Sequence, residues 1–158
     1  MSFEGLSPIR FGTTSMTTAT LGPNDPELGT RCTSGGRQYM FIYNAASVIG
    51  IGVGCVLATN ATNATCIVSS VTSADMLVGV ARDVSIASNY YGWVVTRGVT
   101  PVMMHADVSG VTGAVLELAG NGLFAIVSNT TGNKAPTFGK LQSSVASGLS
   151  APAQIYGY

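Results

Sequence analysis

The sequence predicts an all-β protein: a compact β-sandwich or small β-barrel with an extended N-terminal arm. Three observations carry that prediction. Short runs rich in Val, Ile, Tyr, Phe and Thr recur between Arg37 and Val127 at intervals of about 8–12 residues, the spacing typical of sandwiches and small barrels. Turn formers separate them: Asn60–Asn63, Asn89, Gly98, Gly110, Gly113 and Gly120-Asn121-Gly122. No window of helical length carries a 3.6-residue apolar period.

Met1 to Gly36 is rich in Thr, Gly and Pro, and Pro8, Pro23 and Pro26 block helix. Phe3, Leu6, Ile9, Phe11, Met16 and Leu21 recur along it as apolar anchors on an otherwise irregular strand. That pattern predicts an arm over residues 1–36 that lies on another surface, followed by a β-domain over residues 37–158. The competing reading is a frayed terminus.

The predicted strands then follow in order: Gln38–Tyr43, Gly54–Ala58, Cys66–Val71, Leu77–Asp83, Tyr91–Arg97, Val99–His105, Ala114–Leu118 and Leu123–Val127. Ser85–Asn89 reads as a helical turn. The Gly120-Asn121-Gly122 step is a strong hairpin signal joining Leu116-Glu117-Leu118 to Leu123–Ile126. After a loop at Asn129–Asn133, Ala135–Leu141 adds a strand, and Ala153–Tyr158 alternates as a closing one.

Composition bounds the function. Only 9% of the residues are charged, against roughly a quarter in an ordinary soluble domain, and the net charge is zero. Self-repulsion therefore does little to keep copies apart, which predicts a subunit largely covered by neighbours. Seven Lys and Arg without a cluster argue against nucleic acid as a partner. The longest apolar stretch, Ala45–Ala58, is shorter than the roughly 20 residues of a spanning helix and is diluted by Gly50, Gly52 and Gly54, so no membrane is predicted. The start, Met1-Ser2-Phe3-Glu4-Gly5, has neither a basic nor an apolar signal region, so synthesis in a reducing cytoplasm is expected. Cys32, Cys55 and Cys66 then read as small thiols; a Cys55–Cys66 disulfide across a hairpin is the alternative.

Few groups could do chemistry. His105 and Asp107, two apart on a strand, share one face and could form a base–orienter pair or two metal ligands. A zinc site wants three or four ligands, and no third is visible. The simpler reading is that His105 ends a strand and Asp107 opens a turn. The glycines at 50, 52 and 54 fail the spacing of a dinucleotide loop, and Asp75, Asp83, Asp107 and Glu117 match no calcium loop. Tyr39, Phe41 and Tyr43 lie at period two, as do Tyr91 and Trp93; such rows bind sugars or, more often in β-proteins, pack across strands. No catalytic residue, cofactor or metal is predicted, and the chain is not read as an enzyme.

The passage Gly79-Val80-Ala81-Arg82-Asp83 through Tyr90-Tyr91-Gly92-Trp93-Val94-Val95-Thr96-Arg97-Gly98, followed by an aliphatic strand and the Gly-rich step Val108–Gly113, resembles the capsid decoration (cement) proteins of tailed bacteriophages. The likeness covers about Arg37 to Val127. It departs at Gly110 and Gly113, which lack the following Asp of a "GD" turn. The resemblance implies a compact, commonly trimeric β-domain on the outer surface of an icosahedral head, where it bridges subunits of the major capsid protein and stabilises the shell. It also implies that a terminal arm clasps the coat, with Phe3, Ile9, Arg10 and Phe11 as its contacts. Tyr91 and Trp93 are expected to pack inside the β-domain. A glycan-binding virion surface module and a tail or fibre subunit are the competing functions.

Overall fold

The structure is a computed structural model that describes residues 18–23, 25–58, 64–68, 76–127 and 137–156. It is an all-β fold of ten strands: β1 (Arg31–Ser34), β2 (Arg37–Asn44), β3 (Gly54–Leu57), β4 (Thr65–Val68), β5 (Leu77–Val80), β6 (Tyr91–Met103), β7 (Val115–Leu118), β8 (Phe124–Ile126), β9 (Gly139–Leu141) and β10 (Ser150–Tyr156).

Five strands close into a barrel in the order β2-β4-β3-β5-β6, sealed by antiparallel pairing of β2 with β6 from Gln38↔Arg97 to Tyr43↔Tyr91. The β2–β4 pairing is parallel, at Tyr43↔Thr65 and Asn44↔Cys66; the other barrel pairings are antiparallel. The remaining strands extend from β6 as β10-β9-β7-β8, and this second layer returns to the end of β6 through a Met104↔Phe124 bridge. β6 therefore serves both halves.

Two cores result. Inside the barrel lie Met40, Ile42, Cys55, Cys66, Val78 and Val94, one or more from each wall strand, with Ile49, Ile86, Ala64 and Ala81 from the loops. Between the barrel's outer wall and the second layer lie Val56, Leu77, Val80, Val102, Met104, Leu116, Leu118, Phe124, Phe138, Leu141 and Ile155. Because β3 and β5 are covered on both faces, their burial is nearly continuous, and period-two alternation vanishes from them.

Gly98 is the main departure from the predicted strands. Read as a breaker between Tyr91–Arg97 and Val99–His105, it instead lies inside one long strand, where its φ of +118° makes a local bend. The bend lets β2 leave β6 without ending it. Arg31–Ser34, assigned to the arm from its composition, is a regular strand paired with β2 through a tight turn in which Gly35 and Gly36 have φ of 54° and 73°. Gly29 and Thr30 continue that contact through backbone bonds to Phe41. The domain thus takes in residues assigned to the arm.

The predicted closing strand starts earlier than expected, at Ser150, because Pro152 faces Pro101 across the ladder and two residues without N–H donors oppose each other. Ser85–Asn89 is not helical: Ile86 bridges Ile49, and the turn falls at Asn89, whose φ is 63°. The predicted Gly120–Gly122 hairpin is present, with Leu116↔Ile126 to Leu118↔Phe124 in register.

Asn44 ties the loops over one end of the barrel. Wholly buried, it donates from Nδ2 to the carbonyls of Ser47 (2.9 Å), Ile86 (2.9 Å) and Ala87 (3.0 Å), and its Oδ1 accepts from the Ala46 N–H (3.2 Å). A buried carboxamide with this many partners can serve as a framework element, because none of its polar capacity is left unpaired.

Candidate functional site

The aromatic rows predicted from period two come together as one cross-strand cluster on the outer face of β2 and β6. Phe41 and Trp93 are directly opposed, as are Tyr43 and Tyr91. Ring centroids stand 5.1 Å apart for Phe41–Trp93, 4.9 Å for Tyr43–Tyr91 and 6.1 Å for Phe41–Tyr91. The Tyr43 hydroxyl donates to Asn89 Oδ1 at 3.1 Å. Phe41 and Tyr39 are buried, while Tyr43, Tyr91 and Trp93 are half-buried. Tyr91 and Trp93 thus pack within the β-domain, and pairs of this kind are worth about 0.5–1.5 kcal/mol beyond the area they bury.

His105 and Asp107 lie just beyond the end of β6, in a turn closed by Val108 N–H to the His105 carbonyl. The Asp107 N–H donates to His105 Nδ1 at 3.4 Å, and the Asp107 carboxylate is 3.7 Å from that nitrogen. Both side chains reach solvent, Asp107 almost fully, at a turn beyond the strand end. Among the described residues no group of three His, Cys, Asp or Glu could hold a metal ion.

The thiols are unbonded. Cys55 and Cys66 are buried in the barrel, where a hydrogen bond between them and burial together push the Cys55 thiol well above the usual range. Cys32, half-buried on β1, is pushed up to about 11 by burial. Neither is a poised nucleophile, since the thiolate is the reactive form.

What the surface offers is apolar. Val48 and Ile51 from the β2–β3 loop and Leu149 before β10 are 55%, 46% and 58% exposed. The backbone brings Ile51 and Leu149 to the end of β6: Met103 N–H donates to the Gly52 carbonyl at 2.8 Å and Met104 N–H to that of Leu149 at 3.1 Å. A second exposed pair, Leu57 and Met76, flanks the Val56↔Leu77 rung. Sequence reading missed these residues, because single apolar residues in loops and at strand ends carry no local signal. The expected coat contacts Phe3, Ile9, Arg10 and Phe11 lie outside the described residues. Comparison of the chain with protein-family models and with curated proteins finds no match.

Proposed function

We propose that this chain is a structural virion protein that coats the outside of a phage capsid and bridges neighbouring major capsid protein subunits, with no catalytic role. The observation that carries the reading is the surface. Fourteen Lys, Arg, Asp and Glu are spread over 8543 Å², while Val48, Ile51, Leu149, Leu57 and Met76 stand exposed in groups at loops and strand ends. Grouped apolar side chains of this kind mark contact surfaces, and uncharged interfaces avoid burying unpaired charge.

The mechanism is linkage. A protein that binds several coat subunits at once adds its binding free energy only to the assembled lattice. Self-association into a trimer multiplies weak contacts by raising effective concentration. The resemblance of the Gly79–Gly98 passage to decoration proteins supplies the phage context. Tyr43, Tyr91 and Trp93 retain enough exposure for a second reading, a glycan-binding virion surface module, which a glycan array separates from the first.

The test is co-sedimentation of purified chain with heads of the encoding phage that lack it. Saturable binding in proportion to coat copies is expected. Absence of binding to heads, or attachment to tails alone, would sink the reading. The arm is tested by removing residues 1–17 only, because β1 and the Gly29–Thr30 contact belong to the sheet.

A further inference from the structure

Where β2 parts from β6, the β1–β2 turn folds over the bend at Gly98. A Cβ on Gly98 would stand 3.0 Å from Arg37 Cγ and 3.1 Å from the Gly36 carbonyl oxygen, so this approach is open to glycine and closed to larger residues. Between the turn and the β6–β10 surface lies a cleft of about 520 Å³ whose walls include Gly36, Arg37, Gln38, Arg97, Val99 and Gln154. Arg37 is held in place: its Nε donates to the Val99 carbonyl at 2.5 Å and Nη1 to the Gly35 carbonyl at 3.2 Å. Nη2 and the second Nη1 hydrogen have no acceptor among the described residues. Arg97 is exposed and has no ion pair among them either.

Among the described residues no Asp or Glu lines this cleft. Lys140 is the Cα partner of Gln154, one rung from the wall, and is exposed. Arg37, Arg97 and Lys140 thus gather at this cleft with no carboxylate among its described walls; Glu117 shares the face of Lys140, two residues along β7 from its partner Val115. In a chain so poor in charge, that is an electrostatic imbalance an anion would relieve. Arg37 alone has a structural use, as a cap on the Val99 carbonyl; Arg97 and Lys140 have none.

The geometry points to a binding site for a carboxylate in this cleft, gripped between the fixed fork of Arg37 and the free guanidinium of Arg97, with Lys140 at its edge. Two planar guanidinium groups suit a planar carboxylate, which each can meet with paired N–H donors. Nucleic acid would need a continuous basic track, and the cluster ends within one cleft. The inference is independent of the capsid reading: the carboxylate is an acidic side chain of a protein partner or an acidic sugar, and the chemistry of the grip is the same.

The experiment is an amide NMR titration of the full chain with succinate, hexaglutamate, glucuronate, sulfate and uncharged succinamide. We expect saturable shifts at Gly35, Gly36, Gly98 and Val99 with the carboxylates and none with succinamide. Arg97→Gln, on a side chain that supports nothing else, is expected to weaken binding at least tenfold with the other resonances in place. Arg37→Lys keeps the charge but loses the fork, and is expected to weaken it as well. A stronger response to hexaglutamate names a protein source, a stronger one to glucuronate a sugar. Equal response to succinamide, undiminished binding in Arg97→Gln, or tighter binding of sulfate than of succinate overturns the proposal.

Discussion

The barrel interior and the outer core differ in the largest side chains they enclose. Among the described residues the buried barrel cluster mixes Cys55, Cys66, Ala64 and Ala81 with Met40 and three isoleucines, with the partly buried Tyr90 packed against it, whereas the outer core holds Phe124, Phe138 and four leucines beside Ala151 and Ala153. The difference is geometric. Five strands closed on themselves enclose little width, so interior positions must be small. The space between the barrel wall and the second layer admits rings, although its strands also pass closely: a Cβ on Gly139 would meet the Gln154 carbonyl oxygen. Gly79 and Gly92 show how tight the barrel is: a Cβ on Gly79 would meet Val94 Cγ2 at 2.7 Å and the Val95 carbonyl oxygen at 2.8 Å, and one on Gly92 would meet Ile86 at 2.9 Å. A protein with one narrow core and one that admits rings should fail in two different ways.

Four outcomes break or sharpen that contrast. The largest effect is expected from removing bulk in the outer core. Phe124→Ala should cost about 3–5 kcal/mol in urea denaturation, since the ring is fully buried and both layers lean on it. A loss below about 1 kcal/mol would mean that the two layers do not share a core. Next, Asn44→Ala should cost about 1–3 kcal/mol, because the Ser47 carbonyl loses its side-chain donor and the Ala87 carbonyl keeps only Tyr90 N–H. Amide exchange should quicken in the loops it ties, and unchanged exchange there would count against its role.

Adding bulk should hurt most where the new methyl meets backbone. Gly79→Ala is expected to cost about 1–3 kcal/mol, because the new methyl meets backbone. Gly110→Ala should cost less, since its methyl would meet the side-chain ends of Leu141 and Ile126 rather than backbone. The reverse order would erase that distinction.

The smallest expected effect is a pH dependence. Cys32 in the fold has a pKa of about 11, above the 9.0 of a free thiol, so between these values the folded chain keeps a proton that the unfolded chain has lost. Stability should therefore be unaffected by this group below pH 9.0 and fall as pH rises toward 11. Because Cys32 is partly exposed, solvent screening keeps the change modest. Cys32→Ser should flatten the slope, leaving the part that arises from Cys55.

The strands were legible where β-branched runs met unambiguous turn residues, as at Gly120–Gly122. Legibility failed where one residue does two jobs. Gly98 signals a break by type but bends a continuous strand, and Pro152 signals an end but sits opposite another proline. Closure of the barrel was not legible, because β2 contacts β6 across three intervening strands and no local signal encodes that pairing. The aromatic cluster was readable from period two, yet its placement on one outer face needed the register. The basic cleft was hidden by distance: Gly36-Arg37 and Arg97-Gly98 are far apart in sequence, and only the parting of β2 from β6 joins them.

Sharing β6 between both halves has a consequence for how the chain reaches this state. Arg97 pairs with Gln38 on one edge and Tyr156 on the other, so the central strand waits for partners from nearly opposite ends of the polypeptide. Such non-local contacts slow folding and make it concerted. Severing the chain at Gly98 should leave two fragments that are each unstructured alone yet regain the native spectrum when mixed, a complementation that a pair of autonomous modules would not need.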